Sequence, residues 1–78
     1  MPRLRLFGPA RDAAGTGATT VTGDDVGAVL DAACASFGTE FVEVLARSAV
    51  WLNGEPAGRD RPVGAGDEIA VLPPVSGG

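Results

Sequence analysis

The sequence predicts a small α+β domain in which one amphipathic helix covers a face of a β-sheet. Apolar residues alternate with other residues near both ends of the chain, and in the middle they recur at helical spacing. The chain has 78 residues, of which 45% are apolar and 21% are charged. These values are typical of one folded domain and exclude a multidomain protein.

The first strand is predicted over residues 3–7, which read Arg-Leu-Arg-Leu-Phe. This alternation puts Leu4 and Leu6 on the helix side of the sheet, and Arg5 and Phe7 on the other side. A Gly-Pro pair ends the strand, and the segments that follow should complete a hairpin with a long loop. The turn-rich loop and the second strand are predicted over 10–16 and 18–22.

The main helix is predicted from apolar residues at helical spacing, namely Val26, Val29, Leu30, Ala33 and Phe37. Asp24 or Asp25 is expected to cap its N-terminus, and Gly38 to end it in the left-handed conformation. A shorter helical segment is predicted over 41–45.

Two further strands are predicted over 49–52, before an Asn-Gly turn signal, and over 68–72, before a Pro-Pro pair. The stretch 55–62 is expected to be irregular. A helix between a hairpin and a third strand is buried best by a mixed sheet that wraps around it, which is the β-grasp, or ubiquitin-like, roll. We therefore expect a β-grasp domain over 1–72 and a flexible Gly-Gly tail over 73–78.

Composition excludes several functions. The net charge is −4, which disfavours binding to nucleic acid or to anionic membranes. The chain has no His and one cysteine, Cys34, so we expect no metal site and no His-dependent catalytic residues. Cys34 is interpreted as a small buried apolar residue, the alternative being a redox or acyl-transfer thiol. A cytoplasmic location is expected, because the sequence shows no leader or long apolar run.

The C-terminal segment is the most informative part of the chain. An enzyme that activates a C-terminal carboxylate needs a backbone thin enough for a narrow channel, and glycine has no Cβ. The α-carboxylate of Gly78 is therefore the candidate functional group, although a plain flexible tail is the other interpretation. Residues 73–78 would span about 20 Å if extended. The residues predicted to thread into a partner are Pro73, Pro74, Val75, Ser76 and Gly77.

A docking surface is predicted from strand parity alone. Phe7, Trp51 and Leu72 should all face away from the helix, with Arg5 beside them. The first and last strands are neighbours in a β-grasp, so these residues should form one apolar patch near the tail. The alternative is that one of them, Trp51 above all, turns inward at a bulge or packs under a loop.

Three segments together resemble the MoaD/ThiS family of sulfur carriers. They are Arg-Leu-Arg-Leu-Phe with the following Ala-Arg-Asp, Trp-Leu-Asn-Gly at 51–54, and Gly-Asp-Glu-Ile-Ala-Val-Leu-Pro-Pro-Val-Ser-Gly-Gly at 66–78. Within the family the chain is most similar to MoaD, the small subunit of molybdopterin synthase. The resemblance covers nearly the whole chain.

The resemblance implies a two-stage function for Gly78. An adenylyltransferase similar to ubiquitin-activating enzymes would use ATP to adenylate Gly78, and the adenylate would become a thiocarboxylate. The sulfur would then pass to a pterin intermediate in the large subunit of molybdopterin synthase, within a heterotetramer of two small and two large subunits. The chain itself would be a non-catalytic co-substrate without a tightly bound cofactor. The resemblance also places Arg11 near the activating enzyme, the alternative being a solvated loop arginine.

Other functions remain open at this point. The same tail could deliver sulfur for thiamine thiazole, for cysteine or for a secondary metabolite. It could also join the chain to other proteins as a ubiquitin-like modifier, or the chain could be an interaction module in which the two terminal glycines have no role.

Overall fold

The computed structural model describes residues 1–74, which form one mixed sheet and three helices. The strands are arranged in the order β2-β1-β5-β3-β4. β1 is parallel to β5, and the other neighbouring strands are antiparallel. This is the predicted β-grasp topology. In chain order the elements are β1 (Arg3–Leu6), α1 (Gly8–Ala14), β2 (Ala18–Thr20), α2 (Val26–Phe37), α3 (Thr39–Leu45), β3 (Ala49–Leu52), β4 (Glu55–Pro56) and β5 (Glu68–Leu72).

The core lies between the inner face of the sheet and the helices. Leu4 and Leu6 of β1 are buried, as are Ile69 and Val71 of β5, while their neighbours along each strand are more exposed. Phe41 of α3 is fully buried and is the largest buried side chain. Burying an apolar side chain of this size contributes about 1.5–3 kcal/mol. The remaining buried apolar residues are Ala10, Val26, Val29, Leu30, Ala33 and Leu52.

The N-terminus of α2 is capped by a side chain and by a loop from elsewhere in the chain. Asp25, one of the two predicted caps, accepts a hydrogen bond from the Ala28 N–H at 2.7 Å. The carbonyl groups of Arg59 and Arg61 accept from the first two helical N–H groups at 2.8 and 2.9 Å. Gly38 ends the helix with φ 95° and ψ −171°, a glycine conformation other than the predicted left-handed one.

The prediction of a loop over 10–16 was wrong, because most of this segment belongs to α1. The Gly-Pro pair looked like a strand terminator, but proline is also favoured in the first turn of a helix, where its missing N–H costs nothing. Ala10 of this helix is buried, so packing against the core stabilises a segment that is only seven residues long. Gly15 ends α1 in the left-handed conformation, with φ 77°.

Smaller differences concern strand lengths. The second strand ends at Thr20, before the predicted limit. The stretch 55–62, predicted to be irregular, begins with the two-residue strand β4, which pairs with β3. The predicted Asn-Gly turn joins these strands, and positive φ angles of 50° at Asn53 and 85° at Gly54 fit a tight hairpin turn.

Side-chain hydrogen bonds connect this turn to the start of β5. Asn53 Nδ2 donates to Asp67 Oδ1 at 3.0 Å, and Asn53 Oδ1 accepts from the Glu68 N–H at 2.9 Å. The Gly64 N–H donates to Asp67 Oδ2 at 2.8 Å. The bond from Asn53, followed by the bond from Gly64, holds the pKa of Asp67 below its ordinary value.

Loss of the α2 cap should destabilise the fold. Asp25→Ala removes the acceptor for the Ala28 N–H, so we expect it to lower the free energy of unfolding by about 1 kcal/mol. Asp24→Ala is the matched control, because its side chain forms no capping bond in residues 1–74 and only its carbonyl group is used, by Val63. Urea unfolding measures the free energy of unfolding of both variants. Equal losses in the two variants would contradict the assignment of the cap.

The Asp67 network should make stability depend on pH. Since the folded-state pKa lies below the unfolded value, the stabilisation is present above the unfolded pKa of about 4 and is lost as the pH falls through the folded pKa. The stability difference between wild type and Asp67→Asn should therefore shrink as the pH is lowered below about 4. Asp12→Asn is the control, since the Asp12 side chain forms no hydrogen bond or ion pair within residues 1–74. A pH-independent difference for Asp67→Asn would refute this prediction.

Candidate functional site

A row of side chains crosses the outer face of the sheet, away from α2. Trp51 of β3 and Arg5 of β1 both pair with Ala70 of β5. Pairing of β3 with β5 is continuous through Trp51, so no bulge turns this residue inward. Trp51 is half-buried and lies beside the small Ala70 side chain.

A second row lies nearer the end of β5. Leu72 pairs with Ala49, and Phe7 lies level with Leu72 because Leu6 pairs with Val71 in the parallel register. Phe7 is 37% exposed, and Leu72 is half-buried. The structure thus brings the three predicted apolar residues onto one face. We call the apolar members of the two rows the outer patch, and they are Phe7, Ala49, Trp51, Ala70 and Leu72.

Arg5 places a positive charge at the rim of the outer patch. Its guanidinium carbon is 5.6 Å from the centre of the Phe7 ring, which is within cation–π range. Its Nη1 atom is 3.6 Å from Glu68 Oε1. Both members of this ion pair are well exposed, so the pair contributes little to stability. Its effect is to orient the guanidinium beside an apolar surface, an arrangement typical of protein interfaces.

A groove with three arginines adjoins the patch. Arg3, Arg5 and Arg11 line about 440 Å³ between β1, α1 and β2. Arg11 lies against Gly17, where an added Cβ would be 3.3 Å from its Nε atom. Within residues 1–74 neither Arg3 nor Arg11 forms an ion pair. Arg3 was not among the predicted site residues, although strand alternation places it on the same face as Arg5.

The predicted tail begins where the outer patch ends. Leu72 is the last residue of β5, and Pro73 and Pro74 follow it on the surface. Pro74 borders an apolar cleft of about 230 Å³, which Pro9 at the start of α1 also lines. The other predicted tail residues lie outside the described part of the chain; they are Val75, Ser76, Gly77 and Gly78.

Cys34 has the environment of a structural cysteine. It is half-buried, and burial, followed by the nearby carboxylate of Asp31, raises its pKa, while Arg59 partly opposes this. The Arg59 Nη2 atom is 2.6 Å from Asp31 Oδ1, and this bond raises the pKa of Arg59. A thiol with a raised pKa is less ionised and so less nucleophilic, in keeping with the predicted apolar role.

Residues 1–74 contain no group of three His, Cys, Asp or Glu side chains able to hold a metal ion. In the same part of the chain no helix has the length and apolar character needed to cross a membrane.

Known proteins share this fold over their whole length. The crystal structure of SAMP1 from Haloferax volcanii is 33% identical, with 99% of this chain and 98% of that chain covered and a TM-score of 0.78. The solution structure of small archaeal modifier protein 1 from Methanosarcina acetivorans is 26% identical over 99% and 95% of the two chains, with a TM-score of 0.87.

A third similar structure is the complex of subunits 1 and 2 of the molybdopterin-converting factor from Helicobacter pylori. It is 28% identical over 99% of this chain and 97% of that chain, with a TM-score of 0.71. No curated protein sequence is significantly similar to this chain. A model of the ThiS family matches residues 4–78. Because that match runs from the first strand to the terminal glycines, the chain belongs to the ThiS family, whose members are sulfur carriers of the ThiS and MoaD type.

Proposed function

We propose that this chain carries sulfur as a thiocarboxylate on Gly78 and is the small subunit of a molybdopterin synthase. The observation that carries the proposal is the outer patch, which ends at Leu72, six residues before the terminal carboxylate. One strand thus connects a surface suited to docking with the group that would react. A partner that covers the patch would receive the C-terminus within about 20 Å.

The chemistry requires activation, because a carboxylate is a poor electrophile. An activating enzyme that resembles ubiquitin-activating enzymes would bind ATP, and a Gly78 carboxylate oxygen would attack the α-phosphorus and release pyrophosphate. A sulfur donor at the oxidation level of sulfide would then form the C–S bond and displace AMP. The chain contributes the carboxylate and the docking surface, and the partner proteins contribute the catalytic side chains.

Two features support molybdopterin synthase as the destination. The Leu-Pro-Pro-Val-Ser-Gly-Gly ending resembles that of MoaD proteins. The Helicobacter pylori structure is a complex of subunits 1 and 2 of the molybdopterin-converting factor, and its similarity extends over 99% of this chain. In this proposal the outer patch binds the large subunit, and the assembly is a heterotetramer.

A second candidate is a protein modifier, favoured by the 33% identity to SAMP1 of Haloferax volcanii. In that case the carboxyl group of Gly78 would form an isopeptide bond with a lysine of another protein. This chain contains no lysine, so it cannot itself be the lysine acceptor. Delivery of sulfur to thiazole, cysteine or a secondary metabolite would use the same thiocarboxylate.

Intact-protein mass spectrometry tests the carrier function. The chain, purified from its native host under non-hydrolysing conditions, should include a species heavier by the difference between sulfur and oxygen. The change should map to Gly78 and become alkylatable there, and deletion of Gly78 is the matched control. Branched Gly-Gly remnants on lysines of other proteins, without thiocarboxylate, would instead support the modifier.

Conversion of the pterin precursor by the loaded chain and the large subunit would identify the acceptor.

Charge placed in the outer patch should weaken docking without unfolding the domain. Phe7→Glu and Leu72→Glu should each raise the Kd for the large subunit by about tenfold or more, since buried apolar contacts at the centre of an interface dominate its affinity. Val42→Glu is the matched control, because Val42 is apolar and 44% exposed but lies on α3. Calorimetric titration measures Kd, and thermal unfolding checks the fold. Equal weakening by Val42→Glu would argue against the patch.

A further inference from the structure

A glycine at the start of α1 lies directly against the root of the tail. Gly8 has φ 56°, in the left-handed region, where the chain turns from β1 into α1. A Cβ added to Gly8 would be 2.8 Å from Pro73 Cγ and 3.7 Å from Pro73 Cδ. A carbon–carbon approach of 2.8 Å is far inside van der Waals contact, so the Pro73 ring occupies the space that a side chain would need.

A cleft lies next to this contact. Pro9 and Pro74, the next residue of each segment, line the same apolar cleft. The Phe7 N–H donates to the Val71 carbonyl group at 3.1 Å, which joins the two segments immediately before this point. The start of α1 therefore runs beside the tail root for two residues.

Few backbone rotations are available at the root of the tail, and the contact with Gly8 restricts one of them further. The proline rings fix φ of Pro73 and Pro74 near −65°, and a following proline keeps Leu72 and Pro73 in extended conformations. What remains is limited rotation about ψ of Leu72 and of the two prolines. Contact of the Pro73 ring with Gly8 selects among the remaining rotations about ψ of Leu72.

The direction of the root matters because it sets the direction in which the tail starts. For a tail extended over about 20 Å, a rotation of about 20° at the root would displace the C-terminus by about 7 Å. A tail that leaves the sheet in one direction has fewer conformations to lose when it enters a channel, which favours productive binding. An undirected tail would reach the same channel less often.

We propose that Gly8 is a positioning residue for the reacting C-terminus. Because Gly8 has no side chain, the Pro73 ring can pack against it, and this packing sets the direction in which the tail leaves the sheet. We call this contact between Gly8 and the Pro73 ring the seat. This inference rests on the proposed reaction at Gly78. Gly8 would act through Pro73 and would not touch the reacting atoms. A side chain at position 8 would displace the Pro73 ring and redirect the tail while the outer patch stays intact.

Exchange of labelled pyrophosphate into ATP, catalysed by the activating enzyme of the native host, tests the consequence. Gly8→Ala should lower kcat/KM for the chain by about tenfold, since small misplacements of a reacting group are costly. Gly54→Ala is the matched control: Gly54 also has positive φ, at 85°, but an added Cβ would contact nothing within 4 Å. The Gly54→Ala variant should lower the free energy of unfolding about as much as Gly8→Ala does, but it should leave the rate of pyrophosphate exchange unchanged. Equal losses of exchange in both variants would overturn the proposal.

A double-mutant cycle separates the seat from backbone strain. Pro73→Ala removes the ring and should itself lower kcat/KM, and by more than Pro74→Ala, which removes an equally stiff residue without the Gly8 contact. With Pro73→Ala present, adding Gly8→Ala should have no further effect on exchange, because nothing remains to be displaced. A loss from Gly8→Ala that is the same with and without the Pro73 ring would refute the seat.

A distance measurement tests the seat even if Gly78 has another function. Trp51 is the only tryptophan and can serve as energy-transfer donor to an acceptor on Val75→Cys in a Cys34→Ser background. The distribution of distances should shift or widen with Gly8→Ala or Pro73→Ala and not with Gly54→Ala. An unchanged distribution in folded Gly8→Ala would overturn the seat. If wild type shows no exchange but the distribution changes as predicted, only the proposed function is overturned.

Discussion

The parallel pairing of the first strand with the last organises this molecule. β5 is the central strand of the sheet and β1 lies beside it, and their register brings Leu4 opposite Ile69 and Leu6 opposite Val71 in the core. The same register brings Phe7 level with Leu72 on the opposite face. Burial of the apolar side chains on the inner face therefore also determines which side chains lie on the outer face. A shift of one residue in the register would exchange the two sets of side chains.

The outer patch lies on the face of the sheet that points away from the helix layer. α2 and α3 cover the inner face, and the loop that contains Arg59 and Arg61 is held against the N-terminus of α2 by backbone hydrogen bonds. Gly27 allows this close approach, because an added Cβ would lie 3.1 Å from the Arg59 carbonyl oxygen. The loop and the helix thus stabilise each other, and the outer patch is not needed for the core.

The separation of the core from the outer patch suits a carrier protein whose partners supply the catalytic side chains. The sheet presents Phe7, Trp51 and Leu72, while the proposed reacting group is the main-chain carboxylate of Gly78, beyond the last strand. The basic residues of the chain are all arginines. In the proposed function, an activated Gly78 would meet no lysine side chain of its own chain, whose amine would compete with the intended nucleophile. Arginine still supplies positive charge at the rim of the patch, where its planar group can stack on Phe7.

Local patterns in the sequence determined four of the five strands, the main helix, its Asp cap and the Asn-Gly turn, because each depends on neighbours a few residues away. Period-two alternation also determined which face Phe7 and Leu72 occupy. Only the tertiary structure decided that a helix, α1, begins at Gly8, since its stability comes from burying Ala10 against residues distant in the chain. The grouping of Arg3 with Arg11 and the contact of Gly8 with Pro73 likewise depend on strand pairing, which joins segments that no local pattern connects.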